Sequence, residues 1–508
     1  MLPYIIVLVV LLMAGAAIYF FAARSSGGKQ DRDKDSKEAS VTATPDGKSV
    51  KILAEDLVDT FAKLTPTSKH WDILYAIVTS SELVSVVSQN LDEIEELRQK
   101  KLKKKEEEAA KKKDEVVSFD DLFDQGGFDE GDEDEDDDEA TKEAKRKAKE
   151  EEARKKADLE RLKQATGQKL ALLEDMDEGV LGQKWVEKTL QEKGCWPLEL
   201  PDWLNKAKFD WKGKKMSAME HPAVRRILCM TAGRINSVML NSHPDLIAAG
   251  QKKLLDQTYF RGSMDFRQRV IIYIQACMRV ATSLKSYRLF GTMVETFALF
   301  KIGCQPDALP WFNGIMARQY NTLPRIAVGA KAMENADESN KDKLVAGGQA
   351  LLSLAVDRTH TEQFVKVKVA QAQKQGLPPQ VALQSAQESW WYLLRCERLD
   401  GPTSPGEPID VESSPILKSF KPATLKTYTD EPPALKLETV WPMIVQNIAQ
   451  KAGTVKVKVK MPSQPGKYRY TCAIKSADFL GADQEVSLDV VVEDGPLPVI
   501  SDEVKKDQ

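Results

Sequence analysis

The stretch TVKVKVKMPSQPGKYRYTCAIK, residues 454–475, decides the fold of the C-terminal part of this 508-residue chain. Valines alternate with lysines in its first seven residues, a period of two that is typical of a strand with one buried face. Pro465-Gly466 predicts a turn before a second strand, KYRYTCAIK, and a third run, EVSLDVVVE, covers residues 485–493. Short strands joined by Pro/Gly turns predict an all-β sandwich of immunoglobulin or fibronectin type over residues 388–495, followed by a tail at 496–508.

Upstream of the sandwich, residues 169–387 show apolar side chains at helical spacing and predict a helical body. Breaks such as His221-Pro222 separate its helices. Residues 51–99 predict a small helical segment whose second helix begins at about Ser81. The chain is therefore predicted to be mainly α with a C-terminal β-sandwich. The individual helices of the body are expected over residues 223–241, 265–284, 290–300, 342–355 and 362–375.

Charge is balanced overall but arranged in blocks. The 73 basic and 77 acidic residues argue against a nucleic-acid binder. Residues 100–168 form a low-complexity region that cannot bury a core, and they include residues 140–163, where alternating charges at helical spacing predict a long charged helix. An almost wholly acidic run begins at Asp129 and ends at Glu139. This run is either a solvated spacer or a docking strip for a basic partner segment.

Ser118 is a candidate phosphosite because Asp120 and Asp121 follow it closely, a context that suits an acidophilic kinase. A phosphate there would deepen the negative potential of the acidic region. The same region contains no spacing that indicates chemistry, because its carboxylates lie in solvated runs.

The first 23 residues, MLPYIIVLVVLLMAGAAIYFFAA, contain no charged side chain and are long enough to cross a bilayer. A cleavable signal peptide is the alternative, but the segment has no basic n-region and its apolar run is too long. Basic residues follow the span, so the positive-inside rule predicts an outer N-terminus and a cytosolic body. Residues 24–50 are polar and predict a flexible linker.

Nothing in the sequence predicts a catalytic, cofactor-binding or metal site. The six cysteines form no C-x-x-C pair, and we expect free thiols in a reducing compartment. None of the four histidines lies at metal-ligand spacing or in a nucleophile motif, and no Gly-rich phosphate loop is present. The sequence therefore predicts a binding protein, not an enzyme.

Two motifs in the C-terminal part carry a family resemblance. One is ESWWYLL, residues 388–394. The other begins with Pro465-Gly466, continues with the aromatic strand KYRYT and ends with SADFLGADQ, residues 476–484. Together they resemble the C-terminal domain of the J-protein subunit of the endoplasmic-reticulum Sec translocon, whose loop reads Ser-Asp-Ser-Tyr-x-Gly-x-Asp-Gln. Ala477, Asp478 and Phe479 depart from that pattern. The resemblance covers residues 220–495 and is weaker in the helices.

Each motif residue also has a physical role that needs no family. We expect Trp390 and Trp391 to fill the sandwich core, and Gly481 to permit a positive φ. Asp483 and Gln484 are expected to bond the backbone of their own loop, a structural role. The alternative is a partner-binding loop, and its candidate residues are Ser476, Asp478, Phe479, Asp483 and Gln484.

The resemblance implies a single-pass protein of the endoplasmic-reticulum membrane that docks a cytosolic module on the translocation channel. Its partners would be the lipid bilayer and the channel subunits. A membrane scaffold or tether that binds other cytosolic proteins is the alternative. The family has three spans and a lumenal J domain, whereas this sequence predicts one span. His243-Pro244-Asp245 spells the J-domain tripeptide, but the preceding RINSVMLNS lacks that domain's basic, tyrosine-containing helix, and we interpret the tripeptide as a helix break.

Overall fold

A computed structural model describes residues 38–43, 49–114, 182–248, 266–306, 323–336, 341–402, 409–412 and 414–495. The predicted anchor, Ser118, the acidic run, the charged helix at 140–163 and the tail lie outside these ranges. Within them, no single helix has both the length and the apolar character to cross a bilayer. The consecutive helices His70–Val78 and Ser81–Lys100 pass that test only as a pair, with a bend of 57° between them.

Helices form most of the N-terminal and central parts of the described chain. In order they are α1 (Ala54–Ala62), α2 (His70–Val78), α3 (Ser81–Asp114), α4 (Gln183–Glu192), α5 (Asp202–Lys206), α6 (Pro222–Ile235), α7 (Ser237–Leu240), α8 (Pro244–Ala248), α9 (Phe266–Ser283), α10 (Tyr287–Ile302), α11 (Thr361–Lys374), α12 (Pro379–Ser385), α13 (Pro415–Lys418) and α14 (Pro422–Thr429).

Strands lie mainly after residue 325. They are β1 (Glu38–Ala43), β2 (Ser49–Leu53), β3 (Phe209–Trp211), β4 (Lys214–Met216), β5 (Ile326–Asn335), β6 (Leu344–Val345), β7 (Gln349–Arg358), β8 (Glu388–Arg398), β9 (Thr439–Val445), β10 (Ala452–Lys460), β11 (Gly466–Ser476) and β12 (Gln484–Glu493). The mixture of helices and sheets confirms the predicted coexistence of both, and several boundaries differ from the sequence prediction.

The chain divides into two compact units, residues 85–197 and residues 1–84 with 198–508. The smaller unit contains most of α3 together with α4, which buries Val186, Thr189 and Leu190. The larger unit contains the other helices and the sheets. Its helix α2 is apolar on all sides and is buried from Ile73 to Val78, as expected for a central core helix.

Two sheets share one hydrophobic core in the larger unit. The first has the strand order β10-β7-β5, and the second β6-β12-β11-β8-β9. All pairs are antiparallel except β6 with β12. The shared core takes alternate residues from both sheets, such as Leu352 and Leu354 from β7 and Trp390 and Tyr392 from β8. We call this arrangement the two-sheet module.

The prediction of a helix over residues 342–355 is wrong, because β6 and β7 occupy this region. Strand β7 alternates buried and half-buried residues, but its half-buried positions include Leu351 and Ala355. The resulting nearly continuous apolar run also fits a helix, and periodicity alone cannot separate the two. The two-sheet module therefore begins at β5, so the predicted helical body, residues 169–387, extends too far.

The predicted flexible linker, residues 24–50, is also wrong at residues 38–43 and 49–50, which belong to strands β1 and β2. Strand β1 pairs antiparallel with β2. Both strands contain β-branched residues, and TPDGK, the sequence between them, has the composition of a turn. Four of the predicted body helices do form, close to their expected limits, as α6 with α7, α9, α10 and α11.

Candidate functional site

Helix α10 packs on the outer face of the five-stranded sheet, and this contact joins the helices to the two-sheet module. The rings of Phe290 and Trp391 meet edge to face with their centroids 5.4 Å apart. Trp390 is fully buried in the core between the sheets. Adjacent strand residues point to opposite faces, so the expectation that both tryptophans fill the sandwich core is wrong for Trp391. We call the surface between α10 and strands β8 and β11 the α10 seam.

A charged cluster lies at the centre of the α10 seam. The ammonium group of Lys475 on β11 pairs with Glu295 on α10 and with Asp483 Oδ2, the latter at 3.0 Å. Burial opposes the charge of Lys475, but the two carboxylates raise its pKa to about 12. His70 at the start of α2 lies beside them, with its Nε2 3.4 Å from Glu295 Oε2. The cluster therefore ties β11 to α10 through a lysine that stays charged, and His70 connects α2 to the same glutamate.

A second polar contact lies at the far end of α10. Lys301 pairs with Asp478 Oδ1. The backbone N–H of Ser389 donates to the other carboxylate oxygen at 2.6 Å. Asp478 thus holds the last turn of α10 and the start of β8 at the same time.

The loop between β11 and β12 is organised by its own side chains. Ser476 Oγ accepts the backbone N–H groups of Asp478 and Phe479 at 3.1 and 2.9 Å. Asp483 Oδ1 accepts the backbone N–H of Ser476 at 3.0 Å. Gly481 has a φ of 73°, the left-handed conformation expected from the sequence. Gln484 bonds outside the loop, where its amide donates to the carbonyl of Ile326 on β5.

Phe479 points into the two-sheet module and is only 4% exposed. Its ring lies 5.2 Å from that of His360 and 5.7 Å from that of Phe364, both at edge-to-face angles. Ser476 is also buried, whereas Gly481 and Asp483 are exposed. The five candidate residues of the loop are therefore brought together, and most of their polar atoms make contacts within the chain.

A buried ion pair lies beneath Phe479. Glu388 accepts hydrogen bonds from Arg358 Nε at 2.9 Å and from Trp390 Nε1 at 3.3 Å, and a second guanidinium nitrogen bonds its other oxygen. His360 Nε2 lies 3.1 Å from the same carboxylate. Burial alone would raise the pKa of Glu388, but the hydrogen bonds from His360 and Arg358 lower it. The carboxylate is therefore ionised in the folded protein.

Beside the α10 seam lies an open cleft of about 610 Å³. It lies between helix α10, the α1–α2 connection and strands β11 and β12. Carboxylates outnumber cations in its wall, and Lys475 is already neutralised by two of them. The third carboxylate, Glu485, lies 3.5 Å from Arg395 Nη2, so the wall has only a small excess of negative charge. Its charged and aromatic lining residues are Tyr287, Arg288, Glu295, Lys475, Asp483 and Glu485.

Across the described ranges, no three His, Cys, Asp or Glu side chains lie close enough together to hold a metal ion. His243 accepts the N–H of Asp245 at 3.3 Å and lies between the short helices α7 and α8, where the sequence predicts a break. The sequence also failed to identify Arg358, Glu295 and Lys301. The only available signal was the carboxylate of Glu388 at the start of an apolar strand, which needs a cation when buried.

Comparisons with known proteins give little further information. No protein-family model and no curated protein sequence matches the chain. Among solved structures, an alkylpurine DNA glycosylase, AlkC of Pseudomonas fluorescens bound to DNA containing an abasic site analogue, shares 11% identity. The match covers 54% of this chain and 60% of that chain at a TM-score of 0.15. A similarity this low carries no argument about fold or function.

Proposed function

We propose that the chain is a non-catalytic accessory of protein translocation into the endoplasmic reticulum. In this proposal residues 1–23 anchor it in the membrane, and the helices and the two-sheet module face the cytosol and dock on the channel. The observation that carries the proposal is the α10 seam, where the motif residues Trp391, Asp478 and Asp483 all contact or neighbour α10. The residues that suggest the translocon J-protein family are therefore the ones that join helices and sheets into one unit.

We further propose that the two-sheet module is a sandwich of immunoglobulin or fibronectin type. The sheet orders support this reading. Without the two-residue β6, the sandwich has seven strands. One sheet contains the first, second and fifth of them in chain order, which are β5, β7 and β10. The other sheet contains the third, fourth, sixth and seventh, which are β8, β9, β11 and β12. Such a sandwich presents its loops at its two ends for partner contact.

The docking surface in this proposal is the cleft beside the α10 seam, not the loop between β11 and β12 alone. Ser476 and Phe479 are buried and cannot touch a partner. Glu485 is exposed in the cleft wall. A basic cytosolic loop of the channel would meet the carboxylates of this wall, and such charge complementarity steers association and sets its salt dependence.

Site-directed crosslinking in microsomes tests the proposal. A photoreactive residue in place of Glu485 should capture channel subunits, and the same residue in place of Gln373, exposed on α11, should not. Equal capture from both positions, or none from Glu485, would contradict docking through the cleft. Protease treatment of sealed microsomes tests the orientation, since a cytosolic body must be digested without detergent.

The second candidate function is a membrane scaffold that binds other cytosolic proteins through the two-sheet module. The same seam and cleft support it, because nothing in their chemistry is specific to a channel. Adducts from Glu485 that contain trafficking or contact-site proteins and no channel subunit would favour the scaffold.

A further inference from the structure

The two sheets have four edge strands, and three of them are interrupted or short. Strand β5 has a register shift between Val328 and Ala330, β6 has two residues, and β9 carries Pro442. Proteins use such bulges, short strands and prolines to prevent unwanted strand pairing. Strand β10 differs, because its nine residues pair with β7 in continuous register and contain no proline.

Among the described strands, only β7 pairs with β10, and the backbone groups on the opposite edge of β10 belong to its even-numbered residues. The N–H of Met461 donates to the carbonyl of Gly348, and the N–H of Arg358 donates to the carbonyl of Lys451, both at 2.8 Å. In an antiparallel pair, residues that bond the neighbour alternate with residues that face away. The odd-numbered residues between these two bonds therefore pair with β7. The outward-facing groups belong to Thr454, Lys456, Lys458 and Lys460.

The side chains of the three lysines form a row on the solvent face. All three are exposed, and the intervening Val455 and Val457 are half-buried toward the shared core. Lysines two positions apart on a strand are about 7 Å apart. Lys456 and Lys458 form no ion pair with any residue that the structure describes. Exposed lysines on a strand are most often only solvated, and on an edge they repel other strands.

A lysine row repels basic strands and attracts acidic ones, so it leaves this edge open to one class of partner. We propose that β10 binds an extended peptide segment of a partner protein that has Asp or Glu at alternate positions. In an added antiparallel strand, the residue opposite Lys456 or Lys458 exchanges both backbone bonds with it. That residue's side chain then lies on the lysine face, where an opposite charge is favoured. This inference is independent of the proposed function.

Peptide binding to the full-length protein tests the inference. The probe is a fluorescein-labelled peptide, Thr-Glu-Val-Glu-Val-Glu-Val-Thr, whose anisotropy should rise on binding and whose affinity should fall as salt is added. A peptide with Gln at the three Glu positions should bind about 2- to 25-fold more weakly, since the charge pairs with Lys456 and Lys458 contribute about 1.4- to 5-fold each. A peptide N-methylated at the three Glu residues cannot donate to the edge and should not bind. Equal binding of either control peptide would overturn the proposal.

Two variants of Lys456 distinguish the contribution of its backbone N–H to peptide binding from the contribution of its charge. Lys456→Gln removes one charge pair and should weaken binding about 1.4- to 5-fold. Lys456→Pro also removes the backbone N–H that would donate to the peptide, so it should abolish binding. Sheets tolerate proline where the N–H faces an open edge, so the thermal unfolding curve should be nearly unchanged. Equal affinities of the two variants would contradict strand addition.

The double variant Lys456→Glu/Lys458→Glu tests the charge preference without proline, so it remains informative if the proline variant fails to fold. It should lose the Glu peptide and bind a peptide with Lys at the same three positions. Retained preference for the Glu peptide would overturn the proposal. The alternative occupant of the β10 edge is a second copy of the chain, and sedimentation of the wild-type protein tests it. A dimer that dissociates in the Lys456→Pro variant would mean that β10 pairs with that copy instead.

Discussion

Gly291 on α10 leaves room for the side chain of Lys475 on β11. A β-carbon placed at Gly291 would lie 3.1 Å from Lys475 Cε and 3.7 Å from Leu393 Cδ2. The first distance is tighter than ordinary van der Waals contact, and the atom it meets belongs to a flexible but paired side chain. The close approach of α10 to the sheet therefore leaves room for a methyl group at most at position 291.

Enlarging Gly291 should separate α10 from the sheet. Gly291→Ala should change the free energy of unfolding little, because better helix propensity, about 1 kcal/mol, offsets a small displacement of Lys475. Gly291→Leu should cost about 1–3 kcal/mol by overpacking. Urea unfolding measures both, and Ala370→Leu on the exposed face of α11 is the control, with an expected change near zero. A Gly291→Leu variant as stable as that control would contradict the tight seam.

The ion pair of Arg358 and Glu388 should be costly to break from one side. Both side chains are at most 4% exposed, so Glu388→Gln leaves a buried guanidinium without its counter-charge. We expect a loss of about 3–5 kcal/mol in the free energy of unfolding. The exposed pair Arg469–Asp489 is the matched control, and Arg469→Ala should cost about 0–1 kcal/mol.

The double variant Arg358→Met/Glu388→Leu tests the same idea from the other direction. It removes both charges and keeps similar volume, but Trp390 Nε1, His360 Nε2 and the carbonyls that Arg358 bonds lose their partners. It should therefore recover only part of the loss caused by Glu388→Gln. Chemical denaturation of the full-length protein gives the free energy of unfolding of the wild type, Glu388→Gln, Arg469→Ala and the double variant. If the double variant were less stable than Glu388→Gln, the larger penalty would come from packing and from the hydrogen-bonding groups left without partners, and not from an unpaired charge.

Strands were predicted from the sequence where apolar and polar residues alternate regularly, and β7 was missed because its alternation is not regular. Alternation of valine and lysine identified β10, but half-buried Leu351 hid the alternation of β7. The sequence placed the tandem tryptophans at the start of the predicted sandwich, where β8 lies, yet it could not say that α10 covers the face of Trp391. The hydrophobic pattern records that a face is buried, and only tertiary structure decides which element buries it.

The polar contacts of the site were less accessible to prediction for a similar reason. Local contacts of the loop, such as Asp483 with the Ser476 backbone, follow from short-range turn chemistry and were predicted. Lys475 and Glu295 are 180 positions apart, and Lys301 and Asp478 are 177 apart. With 73 basic and 77 acidic residues in the chain, charge alone cannot select these partners.

The pKa of Lys475 predicts a change of stability at alkaline pH. Burial lowers this pKa, and Asp483 and Glu295 more than offset it, so the folded value of about 12 lies above the usual value for lysine. The resulting stability is fully present below the unfolded pKa of about 10.4, and it is lost as pH rises toward 12. It amounts to at most about 2 kcal/mol at neutral pH, because burial raises the pKa of the partner Asp483 and this opposes part of the gain.

Unfolding experiments between pH 9 and 12 measure this effect. The wild-type protein should lose stability more steeply than Lys475→Met, because the variant has no proton to release at this site. Lys467→Met, at an exposed position of the same strand, should follow the wild-type curve. Parallel curves for the wild-type protein and Lys475→Met would mean that the two carboxylates do not hold the charge of Lys475.

Asp478 should matter more to stability than its ion pair with Lys301 does. The Lys301 side chain is 35% exposed, so Lys301→Met should cost about 0–1 kcal/mol. Asp478→Ala also leaves the backbone N–H of Ser389 without an acceptor, which should add about 1–3 kcal/mol. Asp478→Asn can still accept that N–H and should lie between the two. Equal losses in Lys301→Met and Asp478→Ala, measured by chemical denaturation, would assign the whole effect to the ion pair and none to the start of β8.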